Sequence, residues 1–189
     1  DIMEDRIAGS AIFHTSAYAL DSMYPALLRA MEIAKSRGVK ISFELASVKS
    51  IQMHRDTIKH LLANYVDIVF ANEEEAVEFT GKEPWPAFLE LSTGRIAVVK
   101  LGSKGAFVGG LVKMANPKCK GSNYFRAAVP AYKAVSVKNT NGAGDAFAAG
   151  FLYGIVKGYN LYNAGRIGAF YAARVVEVEA ARLPYRINN

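Results

Sequence analysis

The sequence has a single cysteine, Cys119, so no intrachain disulfide forms and a disulfide-stapled framework is excluded; a lone thiol fits a reducing cytoplasm. Long apolar runs are also missing. The longest uncharged one, Ala146 to Val156, stops between Asp145 and Lys157, well short of a membrane span. The opening Asp1-Ile2-Met3-Glu4-Asp5 lacks the basic start of a signal peptide and the amphipathic pattern of a transit peptide. There is no Gly-x-x-x-x-Gly-Lys-Ser/Thr loop, no His-Glu-x-x-His and no Cys-x-x-Cys, and Phe147 breaks a Gly-x-Gly-x-x-Gly match. His14, His54 and His60 are scattered, which argues against a histidine metal centre. What is present is a core-forming composition: 51% hydrophobic, 21% charged, in 189 residues, about one domain's worth. The expectation is a soluble, cytoplasmic α/β domain spanning residues 1–189. Because it does not begin with Met, it is read as part of a longer protein.

Acidic residues are absent from Leu91 to Gly144. That stretch holds Arg95, Lys100, Lys104, Lys113, Lys118, Lys120, Arg126, Lys133 and Lys138, nine of the 23 basic residues, leaving 14 basic against 17 acidic elsewhere. Such asymmetry suggests an anionic partner, with a solvated basic face as the plain alternative. The bases are spread out and not interleaved with aromatics, which suits a small polyphosphate better than nucleic acid.

Hydrophobic periodicity predicts strands at Ala11–His14, Val39–Leu45, Val66–Ala71, Ile96–Leu101 and Ala106–Val108, with two weaker ones at Tyr124–Val129 and Ala134–Lys138. Between and after them, helices are predicted from an Asp21 or Ser22 cap to Gly38, over Asp56–Tyr65, from an Asn72 cap to Gly81, over Ala146–Lys157 and over Leu161–Val178. Strands alternating with helices mean an α/β fold with a mainly parallel sheet.

The chemistry-bearing stretch is Asn139 to Asp145. Gly142-Ala143-Gly144 leaves a helix start nearly bare of side chains, so its free N–H groups can face an anion. Asp145 puts a carboxylate at the same entrance; it is either a simple helix cap or a proton acceptor beside a phosphoryl-transfer site. Asn72 and Glu75 follow the end of one predicted strand, Gly102 and Gly105 the end of another. Ligands of open α/β sheets bind beyond the carboxyl ends of the strands, so three such loops are expected to share one crevice. Taken singly, Asn72 also reads as a helix cap and the two glycines as hairpin residues.

The segment Asn139-Thr140-Asn141-Gly142-Ala143-Gly144-Asp145-Ala146-Phe147 resembles the Asp-Thr-x-Gly-Ala-Gly-Asp signature of the ribokinase-like (PfkB-type) carbohydrate and nucleoside kinases, with Asn139 in place of the first acid. Asn72-Glu73-Glu74-Glu75 is similar to the family's Asn-x-x-Glu segment, and Lys100-Leu101-Gly102-Ser103-Lys104-Gly105 to its nucleotide-binding strand and turn. The wording around Phe43, Ala71 and Phe151 looks closest to the adenosine-kinase-like and sugar-kinase branches. The resemblance implies a three-layer αβα fold, here the C-terminal nucleotide-binding portion without the N-terminal part and β lid. It implies ATP-dependent phosphorylation of a primary alcohol of a sugar or nucleoside, of the adenosine, ribose or fructose class. Asp145 would be the general base, and the amides of Gly142, Ala143 and Gly144 the anion hole. Asn72 and Glu75 would organise Mg²⁺ and phosphates, and Lys100 to Gly105 would line the ATP site. Main chain at Asn139 and Thr140 would border a monovalent-cation (K⁺) site. A catalytically silent scaffold with the same fold is the alternative that Asn139 motivates, and an open sheet edge makes self-association plausible.

Overall fold

A computed structural model describes residues 3–111 and 124–183. Six strands form one sheet in the order β1 (Ile12–Ser16), β2 (Lys40–Glu44), β3 (Ile68–Asn72), β4 (Ile96–Lys100), β5 (Ala106–Leu111) and β6 (Tyr124–Val129). The helices are α1 (Glu4–Ala8), α2 (Tyr24–Ser36), α3 (Val48–Asn64), α4 (Glu73–Thr80), α5 (Pro84–Leu91), α6 (Ala143–Val156) and α7 (Leu161–Val175). The mainly parallel α/β class expected from the sequence is therefore the observed one.

The chain divides into two compact units, Asp1–Val99 with Gly109–Arg126, and Lys100–Val108 with Ala127–Asn189. In the first, β1, β2 and β3 pair in parallel, with Phe13 opposite Ile41 and Phe43 opposite Val69. Those four and Ala71 form an apolar face whose members Ile41, Phe43, Val69 and Ala71 are buried. The opposite face carries His14, Ser16, Ser42, Glu44 and Phe70 in register. Both faces of β2 and β3 are buried, and the second face admits the polar Ser42 and Glu44 beside Ile68 and Phe70. Helix α3 begins earlier than Asp56: Ser47 caps it, its Oγ accepting from the Ser50 N–H (3.1 Å), and a kink at His54 divides it. His54 is where the chain meets Asp21, Nε2 to Oδ1 at 2.8 Å. That contact takes Asp21 away from the capping role expected of it, and α2 starts instead at Tyr24 with Pro25 in its first turn. Helices α1 and α5 were not foreseen; α5 opens on Pro84-Trp85-Pro86, a run that reads as a turn until Pro is placed in a first helical turn.

The second unit is organised around α6 and α7, which cross through small residues. A Cβ built on Gly154 would lie 2.8 Å from Ala164 Cα, and one on Gly150 would lie 3.0 Å from Gly168 Cα. Backbone approach this close leaves no room for a branched side chain. Gly154→Val is expected to lower unfolding stability by about 2–3 kcal/mol in a urea melt. Helix α7 ends at Val175, not Val178.

The strand expected at Ala134–Lys138 does not form; these residues have no regular secondary structure. Their backbone donors go elsewhere: the Val135 N–H to Glu177 Oε1 (2.6 Å) and the Lys138 N–H to the Val176 carbonyl (2.8 Å). Val135 and Val137 are 88% and 66% exposed, so the alternation that suggested a strand faces solvent.

Candidate active site

Gly142 is the N-cap of α6 and sits in the left-handed region, φ 77°, ψ −3°. A Cβ there would collide with the Ala181 carbonyl oxygen, so both the conformation and the packing behind it require glycine. The Ala146 N–H closes the first helical turn onto the Gly142 carbonyl (2.9 Å). Of the three amides assigned to an anion hole, that of Ala143 already donates to Thr140 O, at a long 3.3 Å. No acceptor among the described residues takes the N–H of Gly144 or of Asp145. The Gly142 N–H is likewise without an acceptor among the described residues, so two of the three proposed amides, and that of Asp145 beside them, are open.

Asp145 stands in the first turn of α6, exposed. Among the described residues its carboxylate makes no capping hydrogen bond and pairs with no cation, and its place in the first turn suits the helix dipole. Asn139 is occupied differently. Its Oδ1 accepts from the Asn141 N–H (2.9 Å) and its Nδ2 donates to the Glu179 carbonyl (2.9 Å), making it a strut for the loop that ends at Gly142. Thr140 contributes the carbonyl bonded to Ala143.

Lys100 to Gly105 form a tight turn. The Leu101 N–H donates to Gly105 O (2.8 Å), and a short 3-10 turn, Gly102–Lys104, lies inside it. Gly105 is buried at φ 102°, and a Cβ would meet the Val129 carbonyl oxygen, so this glycine serves the packing of the turn. Gly102, Ser103 and Lys104 are exposed and leave their backbone open to close approach.

Asn72 and Glu75 meet in a reciprocal cap of α4. The Glu75 N–H donates to Asn72 Oδ1 (2.8 Å), the Asn72 N–H to Glu75 Oε2 (2.9 Å), and Asn72 Nδ2 to Glu75 Oε1 (2.8 Å). Glu75 is 5% exposed, a buried carboxylate at the C-terminal end of β3. Asn72→Ala is expected to cost about 1 kcal/mol of stability through the lost cap, read by urea unfolding.

The sequence reading passed over Glu44, a second buried carboxylate (8% exposed) ending β2. It also missed the turn that follows. Ala46 has φ 67°, and its carbonyl accepts from the Tyr18 hydroxyl (3.1 Å). A carboxylate closing the strand Ile41-Ser42-Phe43, with a Ser cap three positions on, was the available signal.

Comparison with known proteins agrees with this geometry. The family model described as pfkB family carbohydrate kinase matches residues 2–188. A 5-dehydro-2-deoxygluconokinase from Shouchella clausii is 30% identical over 179 residues, covering 90% of this chain and 51% of that protein. Two crystal structures each superpose with a TM-score of 0.86 over 98% of this chain and 54% of theirs: a probable sugar kinase from Rhizobium etli (27% identical) and the adenosine kinase from Sinorhizobium meliloti (28% identical). The chain thus spans about half the length of these relatives. With the glycine-capped helix start, the Asn-x-x-Glu cap and a family match over nearly every residue, the chain belongs to the pfkB family of carbohydrate kinases.

Proposed function

We propose that this chain carries the phosphate-donor half of a kinase that transfers the terminal phosphoryl group of ATP to a primary alcohol of a sugar or nucleoside. The observation that carries the proposal is the start of α6: a bare helix N-terminus with unengaged amides, and an uncommitted carboxylate, Asp145, in the same turn. In-line transfer needs charge stabilisation on the moving phosphoryl group and a base for the attacking hydroxyl, and little else. Amides at Gly142 to Asp145, backed by the positive end of the α6 dipole, supply the first. Asp145 supplies the second, accepting the hydroxyl proton as the oxygen attacks. Gly102, Ser103 and Lys104, with Lys100 and Leu101 beneath them, offer main chain for the nucleotide.

Asn72 and Glu75 present hard oxygen donors, which suits Mg²⁺, and Mg²⁺ when bound neutralises charge on the phosphates. Both Glu75 oxygens are already bonded to Asn72, so this pair would act on the ion through its water shell. Among the described residues no group of three or more His, Cys, Asp or Glu side chains is placed to enclose a metal. A K⁺ site at Asn139 and Thr140 would draw on main-chain carbonyls, since the Asn139 side chain is spent within its own loop.

The relatives' names point to adenosine and to 5-dehydro-2-deoxygluconate as acceptors to try beside ribose, fructose and inosine. The test is a phosphotransfer assay of the full-length protein with MgATP across that panel. Transfer to one acceptor well above ATP hydrolysis is the expected result; ATP binding without transfer to any of them would favour the silent scaffold.

A further inference from the structure

At the end of the sheet where β2 and β3 begin, far from Asn72, the first unit holds a cavity of about 490 Å³. That size is in the range of small-molecule sites. Lys35, Lys40, Asp67 and Arg95 line it, with backbone at Gly38 and Gly94. Three cations face one carboxylate, and that carboxylate is already shared. Asp67 Oδ1 accepts from Lys40 Nζ (2.7 Å) and Oδ2 from the Ile41 N–H (2.9 Å).

Arg95 is the unusual member. Its Nη1 and Nη2 donate to the carbonyls of Leu91 (3.1 Å) and Leu62 (2.9 Å), but its Nε is sealed from solvent with no hydrogen-bond partner. No carboxylate among the described residues pairs with it. Burial holds its guanidinium below the ordinary arginine range. Lys35 Nζ donates to the Asn64 carbonyl and lies 5.3 Å from the Tyr65 ring centroid, likewise without a carboxylate. Lys35 and Lys40 are exposed and Arg95 is half-buried; carbonyl dipoles supply partial charge only, so the cluster presents an uncompensated positive charge to the cavity.

We infer that this cavity binds a small doubly charged anion of the phosphate-monoester class, held by Arg95, Lys35 and Lys40. The charge count sets the valence: three cations less one carboxylate leave an excess of two. Residues 67 to 72 put the cavity about 16 Å along β3 from Asn72, so such an anion occupies a place separate from the proposed transfer site. The inference stands on the cavity alone and does not require kinase activity.

The test is titration of the ¹⁵N-labelled full-length protein with inorganic phosphate at constant ionic strength, followed by amide resonances. Saturable shifts at Gly38, Thr93 and Gly94 are expected, with acetate at equal ionic strength leaving them in place. In Lys35→Gln and in Lys40→Gln the half-saturating phosphate concentration should rise about tenfold, the loss of one charge-assisted hydrogen bond. Arg95→Met should abolish the shifts, and because Arg95 also ties two helix ends, the lysine variants keep the test decisive if it does not fold. Motionless amides at Gly38, Thr93 and Gly94, equal saturation by acetate, or unchanged midpoints in both lysine variants would overturn the assignment.

Discussion

Asp145→Asn in the full-length protein is expected to lower kcat by about 10²-fold or more while leaving ATP affinity nearly unchanged. Asparagine keeps the size and the helix position but cannot accept a proton from the acceptor hydroxyl. Because Asp145 is exposed and makes no hydrogen bond or ion pair among the described residues, its removal costs the fold little. Stability and turnover are therefore expected to separate cleanly: an unfolding midpoint close to the parent's beside a large loss of rate. Steady-state kinetics and nucleotide titration on the same preparation measure both. Turnover within a factor of a few of the parent would remove Asp145 from the chemistry.

Gly142→Ala is expected to damage both fold and function. The residue holds φ 77°, a conformation that costs a non-glycine residue about 1–2 kcal/mol. The added methyl would also run into the Ala181 carbonyl, so either the Ala181 segment or the start of α6 must move. We expect a total destabilisation of about 2–4 kcal/mol in urea unfolding. Displaced helix-end amides no longer point at one place, and a lost oxyanion-type donor typically costs about 10²-fold in rate. The predicted kcat/KM for MgATP therefore falls by about that factor even where the variant is folded. A variant as stable and as active as the parent would show that the left-handed cap is incidental.

The two largest effects fall on residues that the sequence itself picked out, and the reason is physical. Gly142-Ala143-Gly144-Asp145 is legible because a helix start without side chains is conspicuous against ordinary capping preferences. Asn72 was legible twice over, as a cap and as a site residue, and the structure realises the cap in full. Strands β2, β3 and β4 announced themselves as largely apolar runs, since they are buried on both faces. Ala134–Lys138 misled because alternation alone does not say which backbone groups are free, and here two of them are bonded to Val176 and Glu177. The early start of α3 was hidden by its polar opening turn, Ser47-Val48-Lys49-Ser50, whose helicity rests on the Ser47 cap. Glu44 was passed over because a single carboxylate in a strand is ambiguous until its burial is known.

The proposed transfer requires phosphate to meet the amides at the start of α6, and ¹⁵N-resolved titration of the full-length protein with a non-hydrolysable MgATP analogue tests that contact most directly. Large downfield shifts of the Gly144 and Asp145 amides, saturating together with those of Gly102 and Ser103, are the predicted result. Saturable nucleotide binding that leaves the Gly144 and Asp145 amides where they were would contradict it.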